Sequence, residues 1–183
     1  TNSSTCFEGI ENIPAGHNFF INKSNDWKLT KWYDLDNIPR SPDNNDNLLE
    51  ILRDAINIRM RGDVKIGTLL SGGIDSSFIT SNMHKIAEIQ KQDYLIFHGS
   101  SIDKESDESY YAKLVADSLA KELIIKRPSK SEFWENIEKV CYLQDEPFGT
   151  TSIFLQFFVM QEVKNMGCKI LLDGQGADEL VLG

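Results

Sequence analysis

Apolar and polar residues follow two different rhythms along this chain, and the rhythm changes near residue 47. Before that point the apolar stretches are short and read as β-structure. Phe7 to Ile10 is one such run, and His17 to Ile21 follows the turn-like Pro14-Ala15-Gly16. A hairpin turn at Lys23 to Asp26 then leads into Trp27 to Tyr33, where apolar and polar positions alternate. Residues 1–35 are too few to bury a core of their own, so they are read as the tail of a larger β-rich unit. Residues 36–46 carry two prolines and several Asn and Asp without any period, which is the signature of a linker.

From Asn47 a longer period takes over. A helix starts there, with Glu50 as a capping partner and Leu48, Leu49, Leu52, Ile56 and Arg59 or Met60 at helical spacing. Val64 to Leu70 is an apolar strand, and a helix from about Ser76 to Gln90 follows it across a Gly-containing loop. Tyr94 to Phe97 and Leu123 to Ile125 are strands separated by a helix over Asp107 to Leu119. Helices at about Ser131 to Leu143 and Ser152 to Lys164 precede the strand Lys169 to Leu172. Strands alternating with helices of this length predict an α/β fold, a parallel sheet with helices on both faces, over residues 47–183.

Composition changes this picture little. Of 183 residues 40% are hydrophobic and 26% charged, as in an ordinary globular protein. The net charge of -9 argues against nucleic acid or an anionic membrane surface as the main partner, since both repel such a chain. Cys6, Cys141 and Cys168 are odd in number and lack metal-ligand spacing, so they are read as reduced thiols of a cytoplasmic protein. Cys6 itself is read as a small buried hydrophobe. No signal peptide or membrane-length apolar run is visible. The chain starts without Met and stops just after a loop motif, so it is read as part of something longer.

Two loops at strand ends carry the candidate chemistry. In Leu70-Ser71-Gly72-Gly73-Ile74-Asp75-Ser76-Ser77, adjacent glycines let backbone N–H groups approach phosphate oxygens with no Cβ in the way. Ser71, Ser76 and Ser77 add hydroxyls, and the next helix offers its N-terminus to an anion. Asp75 makes sense beside phosphate if it holds Mg²⁺. The lysine of a P-loop is absent, and Gly-Gly alone is equally a plain strand-to-helix turn. The second loop, Asp173-Gly174-Gln175-Gly176-Ala177-Asp178-Glu179, taken alone reads as an acidic solvated loop.

The full Ser-Gly-Gly-x-Asp-Ser string after an apolar strand resembles the PP-loop of ATP pyrophosphatases. Paired with the second loop, it makes the chain similar to the asparagine synthase family. The resemblance runs through Asp107-Glu108-Ser109 with Tyr111-Ala112, and through Gln144-Asp145-Glu146-Pro147-Phe148-Gly149. The N-terminal Phe7-x-Gly9-Ile10 and Ile13-Pro14-x-Gly16-His17 look like the end of that family's glutaminase domain.

The resemblance implies a PP-loop, Rossmann-like nucleotide-binding fold with ATP and Mg²⁺ as cofactors. It implies that Asp75 and Asp178 hold the metal and serve catalysis. Leu69, Leu70, Ser71, Gly72, Gly73, Asp75, Ser76, His98, Gly99, Asp173 and Gly174 would lie by the nucleotide. Asp145, Glu146, Thr151, Gln175 and Glu179 would shape the substrate pocket; Asp145-Glu146 also reads as a solvated acidic turn, and Thr150-Thr151-Ser152 either as the N-cap of the next helix or as hydroxyls facing that pocket. The implied reaction adenylates the β-carboxylate of aspartate and transfers ammonia, derived from glutamine in the partner domain. Gln175 stands where the family often has Glu, so another PP-loop amidotransferase, or a β-lactam-forming relative, stays open as an alternative. A catalytically silent nucleotide-binding homologue is a third reading, against which Asp75 and Asp178 both stand. The family's phosphate-binding lysines would lie past Gly183, so residues 1–183 alone are expected to be inactive. A homodimer is compatible with all of this. His17, His84 and His98 are read as structural, and Phe154, Phe157, Phe158 and Met160 as core-facing.

Overall fold

The computed structural model describes residues 3–39, 47–103 and 105–181. Strands β1 (His17–Ile21) and β2 (Trp27–Lys31) pair antiparallel, with Phe19 opposite Leu29. The turn between them closes through Asn22, whose side-chain oxygen accepts from the Ser24 and Asp26 amides. Almost every residue of this hairpin is exposed, as its small size predicts. Phe7 to Ile10 is not a strand. The Thr5 hydroxyl accepts from the Phe7 amide and donates to the Ile10 carbonyl, which folds the run into a turn inside the Ser4–Glu11 bridge. Of the expected linker, the first residues enter a single 3-10 turn, Leu35–Asn37, capped by Asp34. Its residues 40–46 lie outside the described residues.

The larger unit begins with α1 (Leu48–Arg59). Asn47 sits at its N-cap but makes no side-chain cap bond, so the anticipated partnership with Glu50 is not formed; its backbone is already helical there, not extended. Ile56 and Met60 are buried, whereas Leu48, Leu49 and Leu52 stay exposed. Then come β3 (Lys65–Leu69), α2 (Ile74–Gln90), β4 (Tyr94–Gly99), α3 (Ser109–Ser118) and β5 (Leu123–Lys126). They are followed by α4 (Lys130–Gln144), α5 (Ser152–Asn165), β6 (Cys168–Leu172) and the short α6 (Ala177–Val181).

The four later strands form one parallel sheet in the order β5-β4-β3-β6. Pleating sends alternate residues to opposite faces. Ile66 of β3, Tyr94 and Ile96 of β4 and Leu172 of β6 pack with Ile56, Met60, Met83, Ala87, Ala112 and Ala116 from α1, α2 and α3. Phe97, Leu69, Leu95 and Leu171 pack on the other face, against Val159, Val163 and Leu155 of α5. Helices therefore cover both faces, as the alternation predicts. Phe154 and Phe158 join Val140 of α4 in a third cluster, with Phe157 partly buried at its edge. Met160 departs from its reading as a core residue: it lies 38% exposed, because α5 turns its neighbours Phe158 and Val159 inward instead.

Chain order explains where a site can form. From β3 the chain steps outward to β4 and then β5, and returns by α4 and α5 across the opposite face to enter β6 on the far side of β3. Connections leaving β3 and entering β6 thus diverge, and a crevice opens at the carboxyl ends of these two strands.

Candidate active site

Both Gly-containing loops emerge at that crevice. The first leaves β3 after Leu70 and turns through Gly72, whose φ is +97°. An added Cβ at Gly72 would lie 2.6 Å from the Ala112 amide nitrogen and from Tyr111 Cβ, so the loop rests directly on the first turn of α3. Its hydroxyls brace it from within. Ser71 Oγ and Ser76 Oγ are 2.8 Å apart, Ser76 Oγ also donates to the Gly73 carbonyl, and Ser71 Oγ accepts from the Gly73 amide. The 17-residue helix α2 starts at once with Gly73 as its N-cap and no side-chain cap. Its first amide groups and the positive end of its dipole are therefore offered to whatever enters the crevice. Asp75 sits in that first turn, where a carboxylate is favoured.

The second loop closes against the first. A Cβ on Gly174 would meet the Ser76 amide nitrogen at 3.1 Å and Asp75 Cβ at 3.3 Å. Only the absence of a side chain at Gly174 lets β6's loop approach the start of α2 this closely. Asp178 follows in the first turn of α6 and is exposed.

Between them lies a cavity of about 690 Å³, a size suited to a nucleotide-scale ligand. Of the residues expected by the nucleotide, Leu69, Leu70, Ser71, Gly73, Asp75, Ser76, His98, Gly99, Asp173 and Gly174 line it. Gln175 and Asp178 line it as well. Gly72, Glu179, Asp145, Glu146 and Thr151 do not. Asp145 instead ends α4 in a left-handed conformation, and Glu146 approaches Cys6, whose thiol it holds above its ordinary pKa by hydrogen bonding and by its charge. Cys6 is exposed, so its reading as a buried hydrophobe is corrected: its turn has no layer above it. Thr151 occupies an N-cap position without making a side-chain cap bond, its backbone being helical.

The cavity also takes in Glu108, Leu155 and Gln156, to which the sequence reading gave no place in the site, and Ser152, for which a pocket role was one of two readings. Glu108 comes from the N-terminal end of α3, and Ser152, Leu155 and Gln156 come from α5. Glu108 lies inside a string that carries the family resemblance, but nothing local marks it as a lining residue. The α5 residues reach the site because that helix crosses beneath β4, where a Cβ on Gly99 would lie 2.8 Å from Leu155 Cγ. Spacing of Ser152 and Gln156 by one helical turn was the available signal, and it needed the crossover to become meaningful.

His84 and His98, read as structural, are each held by partners. His84 Nδ1 lies 3.0 Å from the Tyr94 hydroxyl, and burial with the nearby Glu88 and Asp93 charges pushes that phenol up to about 12. His98 is tied at both ring nitrogens. Among the described residues no group of three or more His, Cys, Asp or Glu side chains could hold a metal unaided. Four carboxylates, Asp75, Glu108, Asp173 and Asp178, do line one cavity, a donor set that fits a magnesium ion taking its other ligands from phosphate and water. No helix among the described residues is long and apolar enough to cross a membrane.

Residues 47–183 match the family model described as asparagine synthase. Among curated proteins, the chain is 35% identical over 136 residues to a putative glutamine-hydrolysing asparagine synthetase of Methanocaldococcus jannaschii, covering 73% of this chain and 25% of that protein. It is 32% identical over 184 residues to glutamine-hydrolysing asparagine synthetase 1 of Bacillus subtilis, covering 98% of this chain and 28% of that one. The chain thus spans between a quarter and a third of the length of these relatives. Among solved structures it is similar to an NH3-dependent NAD synthetase from Campylobacter jejuni, at 16% identity and a TM-score of 0.48, over 75% of this chain and 59% of that one.

Proposed function

Because this chain belongs to the asparagine synthase family, we propose that it supplies the ATP-binding part of an amide ligase that adenylates the β-carboxylate of aspartate. The observation that carries this reading is the meeting of two loops from neighbouring parallel strands in one cavity, each contributing an aspartate, Asp75 and Asp178. The amides at the start of α2 would grip the β and γ phosphates, with the hydroxyls of Ser71 and Ser76 turning from each other toward the anion. Asp75 and Asp178 would hold Mg²⁺, which, when bound, neutralises phosphate charge and eases departure of pyrophosphate.

A carboxylate oxygen of aspartate attacks the α-phosphorus, the bond to the β-phosphate oxygen breaks, and pyrophosphate leaves. Ammonia then attacks the acyl carbon, AMP departs, and the amide nitrogen loses a proton. No covalent bond to the protein is needed; the chain's part is alignment and charge balance. Glu108, Ser152, Gln156 and Gln175 are the cavity's polar lining residues left over from the nucleotide and metal, and would be available to the acceptor. Glutamine-derived ammonia would come from a glutaminase domain, of which residues 1–35 form the tail, and the cytoplasm, suited to three free thiols, is the proposed setting.

The test is product analysis on the full-length protein with aspartate, ATP, Mg²⁺ and glutamine. AMP and pyrophosphate are expected; ADP as product would remove the adenylation reading. Asp75→Asn is expected to lower turnover by at least about a hundredfold, and unchanged turnover would defeat the metal role. Gln175 supports a second reading, since a neutral amide in the cavity cannot act as a base. Screening other carboxylates by pyrophosphate release separates the two: turnover with aspartate favours the first, and turnover only with another acid favours the second.

A further inference from the structure

The carbonyl of Leu70, the last group before the first loop, is held by the side chain of His98 on the neighbouring strand, with Nδ1 at 2.7 Å. A carbonyl oxygen can only accept, so Nδ1 carries the proton in this contact. The opposite ring nitrogen, Nε2, lies 3.0 Å from Ser109 Oγ at the start of α3. Ser109 is fixed in turn by Asp107, which accepts from its amide and lies 2.5 Å from its hydroxyl. Asp107 is anchored from a third element, accepting from Ser100 Oγ at 2.9 Å and from Arg127 Nη2 at 3.0 Å, while Arg127 Nε reaches Ser100 Oγ at 2.7 Å. His98 is only 3% exposed, so the ring is clamped between the sheet and α3.

The consequence lies in the peptide plane. The Leu70 carbonyl and the Ser71 N–H belong to one planar trans unit, so fixing the first fixes the direction of the second. Ser71 N–H is the first amide of the loop and points at Ser76 Oγ, 3.2 Å away. We propose that His98 is a positioning residue: braced by Ser109 and Asp107, it sets the peptide plane at the root of the first loop and so pre-aligns the amides that receive phosphate. Its side chain, with both nitrogens engaged inside the protein, tunes nucleotide affinity without touching the nucleotide. The structural half of this inference stands by itself, and its effect on ATP rests on the reading given above.

Two measurements on the full-length protein test the two halves separately. Amide hydrogen exchange across Leu70 to Ser77, in the absence of nucleotide, reads the clamp directly. His98→Leu is expected to speed exchange there by about tenfold, the loss of one or two net hydrogen bonds. His98→Asn can put an amide N–H near the place of Nδ1 and is expected to restore protection, whereas His98→Gln, whose amide reaches nearer to Nε2, is not. Ser109→Ala should give an intermediate change. Combining His98→Leu with Ser109→Ala should be no worse than His98→Leu alone, because one chain of contacts is cut twice.

The kinetic measurement is a split: in His98→Leu the KM for MgATP rises by about tenfold, while the KM for the acceptor stays within about twofold. Wild-type exchange rates in His98→Leu and Ser109→Ala would overturn the clamp, as would failure of His98→Asn to protect while melting at the wild-type temperature. A parallel rise in both KM values would overturn its bearing on ATP. ADP production by the wild type would sink the adenylation reading while leaving the exchange result to decide the clamp.

Discussion

Asp107 shows how a single carboxylate can hold three elements together. It accepts from Ser109 in α3, Ser100 after β4 and Arg127 after β5, and these contacts, led by the Ser109 hydroxyl, keep its pKa below the ordinary value. A carboxylate whose pKa falls on folding stabilises the protein fully above its unfolded value, about 3.9, and loses that contribution as pH drops through the folded one. Asp107→Asn should therefore lower the melting temperature at pH 7. The gap from wild type should close as the pH is taken below the ordinary carboxylate range. Thermal scans across that range check it, and a gap that persisted in strong acid would mean that packing, not ionisation, sets the role of this residue.

At the level of elements, the helix ends differ in how they are closed. Ser129 accepts from the Glu132 amide while Glu132 accepts from the Ser129 amide, a complete capping box that starts α4. Ser129→Ala should cost about 1 kcal/mol, read from the denaturant midpoint with an unchanged slope. By contrast, α2 has only Gly73 at its cap and opens on the cavity. Strands and helices were legible because each is specified locally: β3 and β6 are short and rich in Ile and Leu, and the helices carry core residues one turn apart. The first loop was legible for the same reason, its glycines, serines and aspartate lying within eight residues. The places of Glu108, Leu155 and Gln156 were not, since only the crossover of α5 and the seating of α3 bring them to the same cavity. Phe7 to Ile10 misled because an apolar run says nothing of the Thr5 hydroxyl that bends it.

Across the whole molecule, burial is uneven. The sheet and its flanking helices enclose a dense interior, whereas Phe19, Phe20, Trp27 and Trp32 stand exposed on and beside the hairpin. All three tryptophans are at least 65% exposed, Trp134 on α4 included. The 183-residue chain should accordingly show the red emission of hydrated indole in its native state and be readily quenched by iodide. A blue-shifted, quencher-resistant spectrum would show that the hairpin or the outer face of α4 is covered in solution. Domain-level organisation was less legible than secondary structure for a related reason: a two-stranded hairpin specifies its own turn, but not the layer it packs against.

The placement of β6 beside β3 has a consequence for how the chain is made. Asp75 and Asp178 are about a hundred residues apart, and everything between them must be laid down before the second loop can meet the first. During synthesis β3, β4 and β5 can pair in order, since each joins its predecessor across one helix. β6 must instead find the open edge of β3 from the other side. Until it has left the ribosome, that edge stays unpaired and Gly174 is not there to seat against Asp75. A nascent chain would thus expose a sticky strand edge over the roughly hundred residues between β3 and β6, and the two loops would meet only as β6 slots home.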